Sequence, residues 1–246
     1  MTTVTVTVMP IAIVMQEVMN TEFFALLEMM QACDSLFPIG QFTLSNGLES
    51  FVLEERLSNA KQLEQYVEGF MAIASYNDVL LLLLAYEAGS EQLLSIDEIA
   101  FASKAPMEIR TGSQRLSKRF IGTWEGIAKD KYPGLMKYKE LVESGSCKGI
   151  FPISVGVYAR DIGIDKEKAA ALFLYSQLSG IVTNAVKTIP LSQKDGQKVL
   201  NRALEAIPQV VKKSLELTIE DLGVGGAMYD IEGMRHENLY SRQYMS

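Results

Sequence analysis

Val79-Leu80-Leu81-Leu82-Leu83-Leu84-Ala85 is apolar at every position. A helix built from it has no polar side to turn outward, so it must be covered on every face. At seven residues it is far short of the roughly 20 that cross a bilayer. That leaves the centre of a helical bundle or a subunit interface. The run belongs to a longer element. Asn59 followed by Gln62 is close to a capping box, and a helix is predicted from Ala60 to about Ala88, with Gly89 as its stop.

The helical period continues on both sides. Upstream, Thr21 is a candidate cap for a helix through Phe23, Phe24, Leu26, Leu27, Met30 and Cys33, and Leu44 to Glu55 makes a short second helix. Downstream, Ser90 to Lys104 forms a helix that Ala105-Pro106 breaks. Pro106 fits a first helical position, and the helix it opens carries Glu108, Arg110, Arg115, Lys118 and Arg119 on a solvated face. Tyr132-Pro133-Gly134 and Ser144-Gly145-Ser146 are turns with a short helix between them. Phe151-Pro152-Ile153-Ser154 echoes Phe37-Pro38-Ile39-Gly40, by coincidence rather than duplication, since nothing around the two segments matches. Asp165 caps a long helix through Leu172, Leu174, Tyr175, Leu178 and Val182 that ends before Ile189-Pro190. Ser192 to about Leu217 is helical with a break or kink at Pro208. Gly223, Gly225 and Gly226 form a flexible joint before a last helix from about Ala227 to Met234. No strand signal survives after residue 15. The expectation is an all-α, single-domain bundle of eight to ten helices over residues 21–235, with residues 236–246 as a tail.

The first 20 residues stand apart. Thr2 to Val8 alternate with a period of two and Ile11 to Met15 add an apolar patch, while no Lys or Arg precedes Arg56, unlike a secretory signal. Residues 1–20 are expected to be a flexible or mis-called extension, with Met15 or Met19 as the true start. The rival reading is a segment that orders on a partner.

Composition narrows the function. With 48% of its 246 residues apolar, the chain can bury a large core. Its 30 acidic against 23 basic residues argue against a nucleic-acid binder held by phosphate contacts. Cys33 and Cys147 make no disulfide framework, so a reducing cytoplasm is the default location. One histidine and two distant cysteines do not give the usual zinc spacings, which leaves only a metal site shared between subunits. No phosphate-binding loop, dinucleotide fingerprint, nucleophile elbow or His-Glu-x-x-His occurs. Asp97-Glu98 and Glu220-Asp221 read as acids at helix starts or turns, and His236 as a solvated or partner-contacting side chain. No acid/base couple emerges, so an enzyme is not expected.

The segment most particular about its residues is Asp34 to Glu49. Pro38 biases Phe37 toward extended geometry, Gly40 supplies a free φ, and Thr43 or Ser45 caps the following helix. Phe37, Ile39 and Phe42 put large apolar groups on a loop that either plugs a core or presents a contact surface. The tail poses a similar choice. The chain should fray after His236, yet Leu239, Tyr240, Tyr244 and Met245 do not suit idle disorder, so the tail docks at home or on a partner.

Leu36-Phe37-Pro38-Ile39-Gly40-x-Phe42-x-x-Ser45-x-Gly47-Leu48-Glu49 resembles the signature loop of the UreF family of urease accessory proteins. Three later segments resemble the same family. They are Ala105-Pro106-Met107-Glu108-x-Arg110 with Gln114-Arg115-Leu116, the stretch from Tyr175 through Ile189-Pro190-Leu191-Ser192-Gln193-x-Asp195-Gly196-Gln197, and Glu237 to Ser246. In order they cover most of residues 24–246. Gln41 and Ser192 stand where glycine is common, Phe42 where tyrosine is common, and residues 125–149 match poorly.

The resemblance implies an all-helical homodimer without activity or cofactor of its own. It would act as a metallocentre-assembly chaperone for nickel insertion, a scaffold bringing the nickel-carrying GTPase (UreG) to apo-urease with a second accessory protein (UreD, also called UreH). It favours the contact-surface reading of loop and tail. Partner-binding residues would then be Phe37, Pro38, Gly40, Phe42, Tyr240, Arg242 and Tyr244, with Arg242 reaching the GTPase once the other accessory protein orders the tail. No metal, nucleic acid or membrane contact is expected. Two rival readings are a regulator of GTP hydrolysis using Arg242 or Arg110 as an arginine finger, and a helical protein with a ligand pocket under the Phe37–Phe42 loop.

Overall fold

The computed structural model describes residues 11–245, and every regular element among them is helical. In chain order these are α1 (Ile11–Ala32), α2 (Leu48–Leu53), α3 (Ala60–Ala74), α4 (Asp78–Glu87), α5 (Ser90–Ser103), α6 (Met107–Ala128), α7 (Pro133–Glu143), α8 (Phe151–Ile162), α9 (Lys166–Thr188), α10 (Gln193–Leu215) and α11 (Ala227–His236). The strand-like Thr2–Val8 lies outside the described residues. Ile11–Met15 opens α1, so Thr21 sits inside that helix rather than capping it.

The all-apolar run became α4, at the bundle centre. Val79 to Leu83 and Ala85 are buried within the single chain, so a subunit interface is not needed to cover them. Its main neighbour is α8, buried at every residue from Phe151 to Ala159. The two helices touch at Gly156, where an added Cβ would be driven into the carbonyl oxygen of Leu82 and would lie 3.1 Å from the Ala85 methyl. Glycine is required there by close approach, not by its dihedrals. The Phe151–Tyr158 echo is thus a core helix.

The predicted Ala60–Ala88 helix is interrupted at residues 75–77. The Ser75 hydroxyl donates to Ala72 O (2.7 Å) and the Asn77 amide to Ile73 O (3.0 Å), offering the backbone partners outside the helical ladder. Pro208 does the opposite of what was expected, because α10 runs through it unbroken. Pro208 lies on the exposed face, while Val199, Leu200, Ala203, Ile207 and Val211 on the other face are buried against the bundle. Packing on that face outweighs one missing bond, and the freed Leu204 carbonyl is on the solvent side. The expected caps at Asn59 and Asp165 form, each accepting a backbone N–H from the first turn, and Ser192 caps α10 in the same way.

By length and hydropathy alone, Ala60–Glu87 and Lys166–Thr188 could cross a membrane, but both supply buried faces of this bundle and the first is interrupted.

Asp97 corrects another expectation. It sits mid-helix in α5, fully buried, and takes the Tyr138 hydroxyl (2.5 Å) and the Gly149 amide (3.1 Å). The acid staples the turn before α8 rather than facing a helix dipole.

Candidate functional site

After α1 the chain turns on Asp34, whose carboxylate accepts Leu36 N–H at 2.6 Å. Side chains then alternate. Phe37 and Ile39 go inward and are buried, with the Phe37 ring 5.2 Å from Trp124 and 5.7 Å from Phe120. Leu36 and Pro38 point to solvent. Gly40 then adopts φ 78°, a left-handed conformation, and its carbonyl accepts the Thr43 hydroxyl at 2.8 Å. A Cβ on Gly40 would lie 2.6 Å from the guanidinium of Arg119, which donates to Ile39 O at 3.1 Å. Gly40 is therefore fixed by its dihedral, since the guanidinium end of Arg119 could swing aside from an added Cβ. The reversal leaves Phe42 at 56% exposure. The loop is both plug and surface, with Phe37 the plug and Phe42 the part on show. Neither Thr43 nor Ser45 caps α2, which starts from Gly47 at φ 82°.

Under the loop, against α9, is a cavity of about 170 Å³ lined in part by Cys33, Phe37, Gln41, Phe42, Ser176 and Asn184. Drug-sized ligands occupy about 300–1,000 Å³, so this space does not favour the ligand-binding reading. Burial pushes the Cys33 thiol up to about 12, leaving it protonated and a poor soft-metal donor at neutral pH. Among the described residues, no group of three His, Cys, Asp or Glu side chains could hold a metal ion.

The tail does not fray. His236 ends α11 fully buried, with Nδ1 2.6 Å from Glu108 Oε2 and Nε2 3.0 Å from Glu49 Oε2. It is neither solvated nor free for a partner. Glu49 also accepts the Gln243 N–H at 2.8 Å and the Tyr244 N–H at 3.1 Å, while Arg242 pairs with Glu108. Met245 N–H donates to Thr43 O at 2.8 Å, and the buried Tyr244 hydroxyl sits 3.3 Å from Asn184 O. Behind this cluster, the buried Glu232 of α11 pairs with Arg56 and Arg235 and holds α11 against the α2 segment.

The seven expected partner-contact residues therefore divide. Phe42 and Pro38 are exposed on the signature loop, and Tyr240 and Arg242 on the tail that docks against it through Met245 N–H and Thr43 O. Phe37 and Tyr244 face inward and position their segments, and Gly40 sets the turn. Arg110 is committed to the Lys104 carbonyl at 2.8 Å and lies over the Phe101 ring, so it is not available as a finger. Sequence reasoning missed the roles of Glu49, Glu108 and His236. The first two lay inside quoted motifs, but nothing local says that an acid near residue 49 and one near 108 share an imidazole.

What this fold and site define is an all-helical protein whose signature loop and C-terminal tail pack against each other. The chain belongs to the UreF family. The family profile matches residues 57–204. The urease accessory protein UreF of Actinobacillus pleuropneumoniae is 37% identical over 218 residues, covering 87% of this chain and 95% of that protein. The protein of the same name from Haemophilus influenzae is 34% identical over 237 residues, covering 94% and 100%. That from Bacillus sp. is 32% identical over 228 residues, covering 90% and 99%. The resemblance read from the loop is thereby shown across nearly the whole chain.

Proposed function

We propose that this chain is a non-catalytic scaffold of urease maturation. In the cytoplasm it recruits the nickel-carrying GTPase UreG, together with UreD/UreH, to apo-urease for nickel insertion. The observation that supports this most is the meeting of two segments distant in sequence, the signature loop and the tail, through Met245 N–H on Thr43 O, with Phe42 on the one and Tyr240 and Arg242 on the other exposed. Aromatic residues and arginine are the side chains enriched at binding hot spots. Arg242 is 40% exposed at its side chain while anchored by Glu108, so it is pre-oriented and still accessible.

An exposed ion pair of this kind contributes only about 0–1 kcal/mol to stability, so Arg242→Ala should leave the fold intact. It should abolish capture of the GTPase in pull-downs. Arg242→Lys separates scaffold from finger, because lysine cannot reproduce a bidentate guanidinium contact. For a scaffold both substitutions weaken capture. For a finger, the lysine chain binds normally but stimulation of GTP hydrolysis disappears. Undiminished capture by Arg242→Ala would remove Arg242 from the scaffold role, and undiminished stimulation of GTP hydrolysis would remove it from the finger role.

The scaffold acts as a homodimer in this reading. Burial of α4 inside one chain withdraws one reason for expecting it. In its place, Phe23, Phe24, Leu27 and Met30 are all exposed on α1, more apolar surface than one helix of a monomer usually shows. Light scattering should give about twice 27.3 kDa. A monomer mass unchanged by concentration would refute this.

A further inference from the structure

The lone histidine has a proton count fixed by its neighbours. A neutral imidazole offers one N–H and one lone pair. Both ring nitrogens of His236 meet carboxylate oxygens, at 2.6 Å (Glu108) and 3.0 Å (Glu49). In either neutral tautomer, a lone pair would face a carboxylate oxygen at hydrogen-bonding distance inside a fully buried site. Moving the proton to a carboxyl group is opposed on both sides. Glu49 already accepts the Gln243 and Tyr244 amides, and Glu108 accepts the Arg242 guanidinium. Each of those donors favours the ionised carboxylate. Two carboxylates, one guanidinium and one imidazolium sum to zero charge. With a neutral ring, one negative charge is left over in a place with little water to absorb it.

The same two carboxylates hold the tail. Glu49 from α2 and Glu108 from α6 bind residues 242, 243 and 244 on one side and the ring on the other. The remaining charged groups of α11 face elsewhere: Asp230 lies toward Lys104, and Glu232 and Arg235 join Arg56 and Glu54, while Glu237, just past the helix, accepts the Met107 N–H. We propose that the tail is a proton-dependent latch, docked while His236 carries a proton on both nitrogens and released when the ring gives one up. The remaining proton stays on Nδ1 toward the nearer Glu108, so loss of the other turns Glu49 away from the ring and from the Gln243 and Tyr244 amides. Residues 243–245 then keep only contacts between uncharged groups, the Met245 N–H on Thr43 O and the Tyr244 hydroxyl beside Asn184 O and the Thr188 hydroxyl.

The sign follows from the proton taken up on docking. With both glutamates ionised, raising the pH disfavours the docked state, by up to about tenfold per unit. Histidine is the side chain whose ordinary titration falls near neutrality. The latch concerns this chain alone. It rests on the function proposed above only for its consequence, that an alkaline medium would dismantle the loop-and-tail surface.

The test is amide hydrogen exchange of residues 240–246 in the full chain, without partners, from about pH 6 to about pH 9. Protection factors relative to the free peptide at each pH cancel the intrinsic base catalysis of exchange. Protection of the Gln243 and Tyr244 amides should fall at least about tenfold across the range, while peptides from α8 stay level. Glu108→Gln supplies the second arm. Its carboxamide can donate to a neutral Nδ1 while Nε2–H stays on Glu49, so docking no longer needs the extra proton. Its tail protection should be nearly independent of pH, whatever its absolute level after Arg242 loses its carboxylate. Constant protection in the unmodified chain, or a Glu108→Gln slope equal to it, would overturn the latch. No GTPase is present in these samples, so a failure of capture in the pull-downs would leave this outcome untouched.

Discussion

Gly156→Leu should yield no folded protein, and Gly156→Ala a folded but much weakened one. The α4–α8 contact is the most extensive between helices among the described residues, and at Gly156 the neighbour is backbone, the Leu82 carbonyl, rather than a side chain that could turn aside. A methyl group there can be accommodated only by moving two core helices apart. Overpacking usually costs about 1–3 kcal/mol, and this site should fall at the upper end, on the order of 10 °C in melting temperature for a chain of this size. A leucine would need a separation that uncovers Leu82, Leu83, Val155 and Val157, all now buried. With total stabilities of about 5–15 kcal/mol, that loss exceeds what a domain can absorb. Circular dichroism melts decide it. A Gly156→Leu chain melting like the parent would mean that α4 and α8 are not in contact as described.

The second large effect separates the two roles of the signature loop. Phe37→Ala should cost about 3–5 kcal/mol, the usual range for emptying a buried phenylalanine site, because its ring fills the space beside Trp124 and Phe120. Phe42→Ala, five residues on in the same loop, should stay within about 0.5 kcal/mol of the parent, since Phe42 is more than half exposed. Chemical denaturation of the two chains measures both. The functional ranking should be reversed per unit of stability lost, with Phe42→Ala weakening GTPase recruitment in a protein of normal melting temperature. A large drop in melting temperature for Phe42→Ala would make Phe42 a second plug.

Much of this was legible locally. The all-apolar Val79–Ala85 run could only be a covered helix, and Asn59 and Asp165 announced their helix starts because a cap acts within three residues. The UreF resemblance was carried by the loop, where Gly40 takes a left-handed φ that other residues rarely adopt. What the sequence did not disclose depends on distant partners. His236 looked like a tail residue because Glu49 and Glu108 lie more than a hundred positions upstream. Asp97 looked like a dipole-facing acid because its amide partners lie about fifty positions downstream. The Phe37–Phe42 division was hidden for another reason. Both are phenylalanines in one loop, and only the left-handed turn at Gly40 between them sends one inward and the other out. Pro208 failed as a breaker because propensity is a local term, overridden by a buried helix face.

The central claim is that the docked tail completes the surface that recruits the GTPase. Its most direct test is urease activity in cells whose only copy of this chain ends after Leu239. Such a chain keeps His236 with Glu49 and Glu108, so the fold and α11 persist while Tyr240, Arg242 and Tyr244 are gone. The prediction is a soluble, folded protein that leaves urease without nickel and inactive. Urease activity equal to that with the full chain would contradict it.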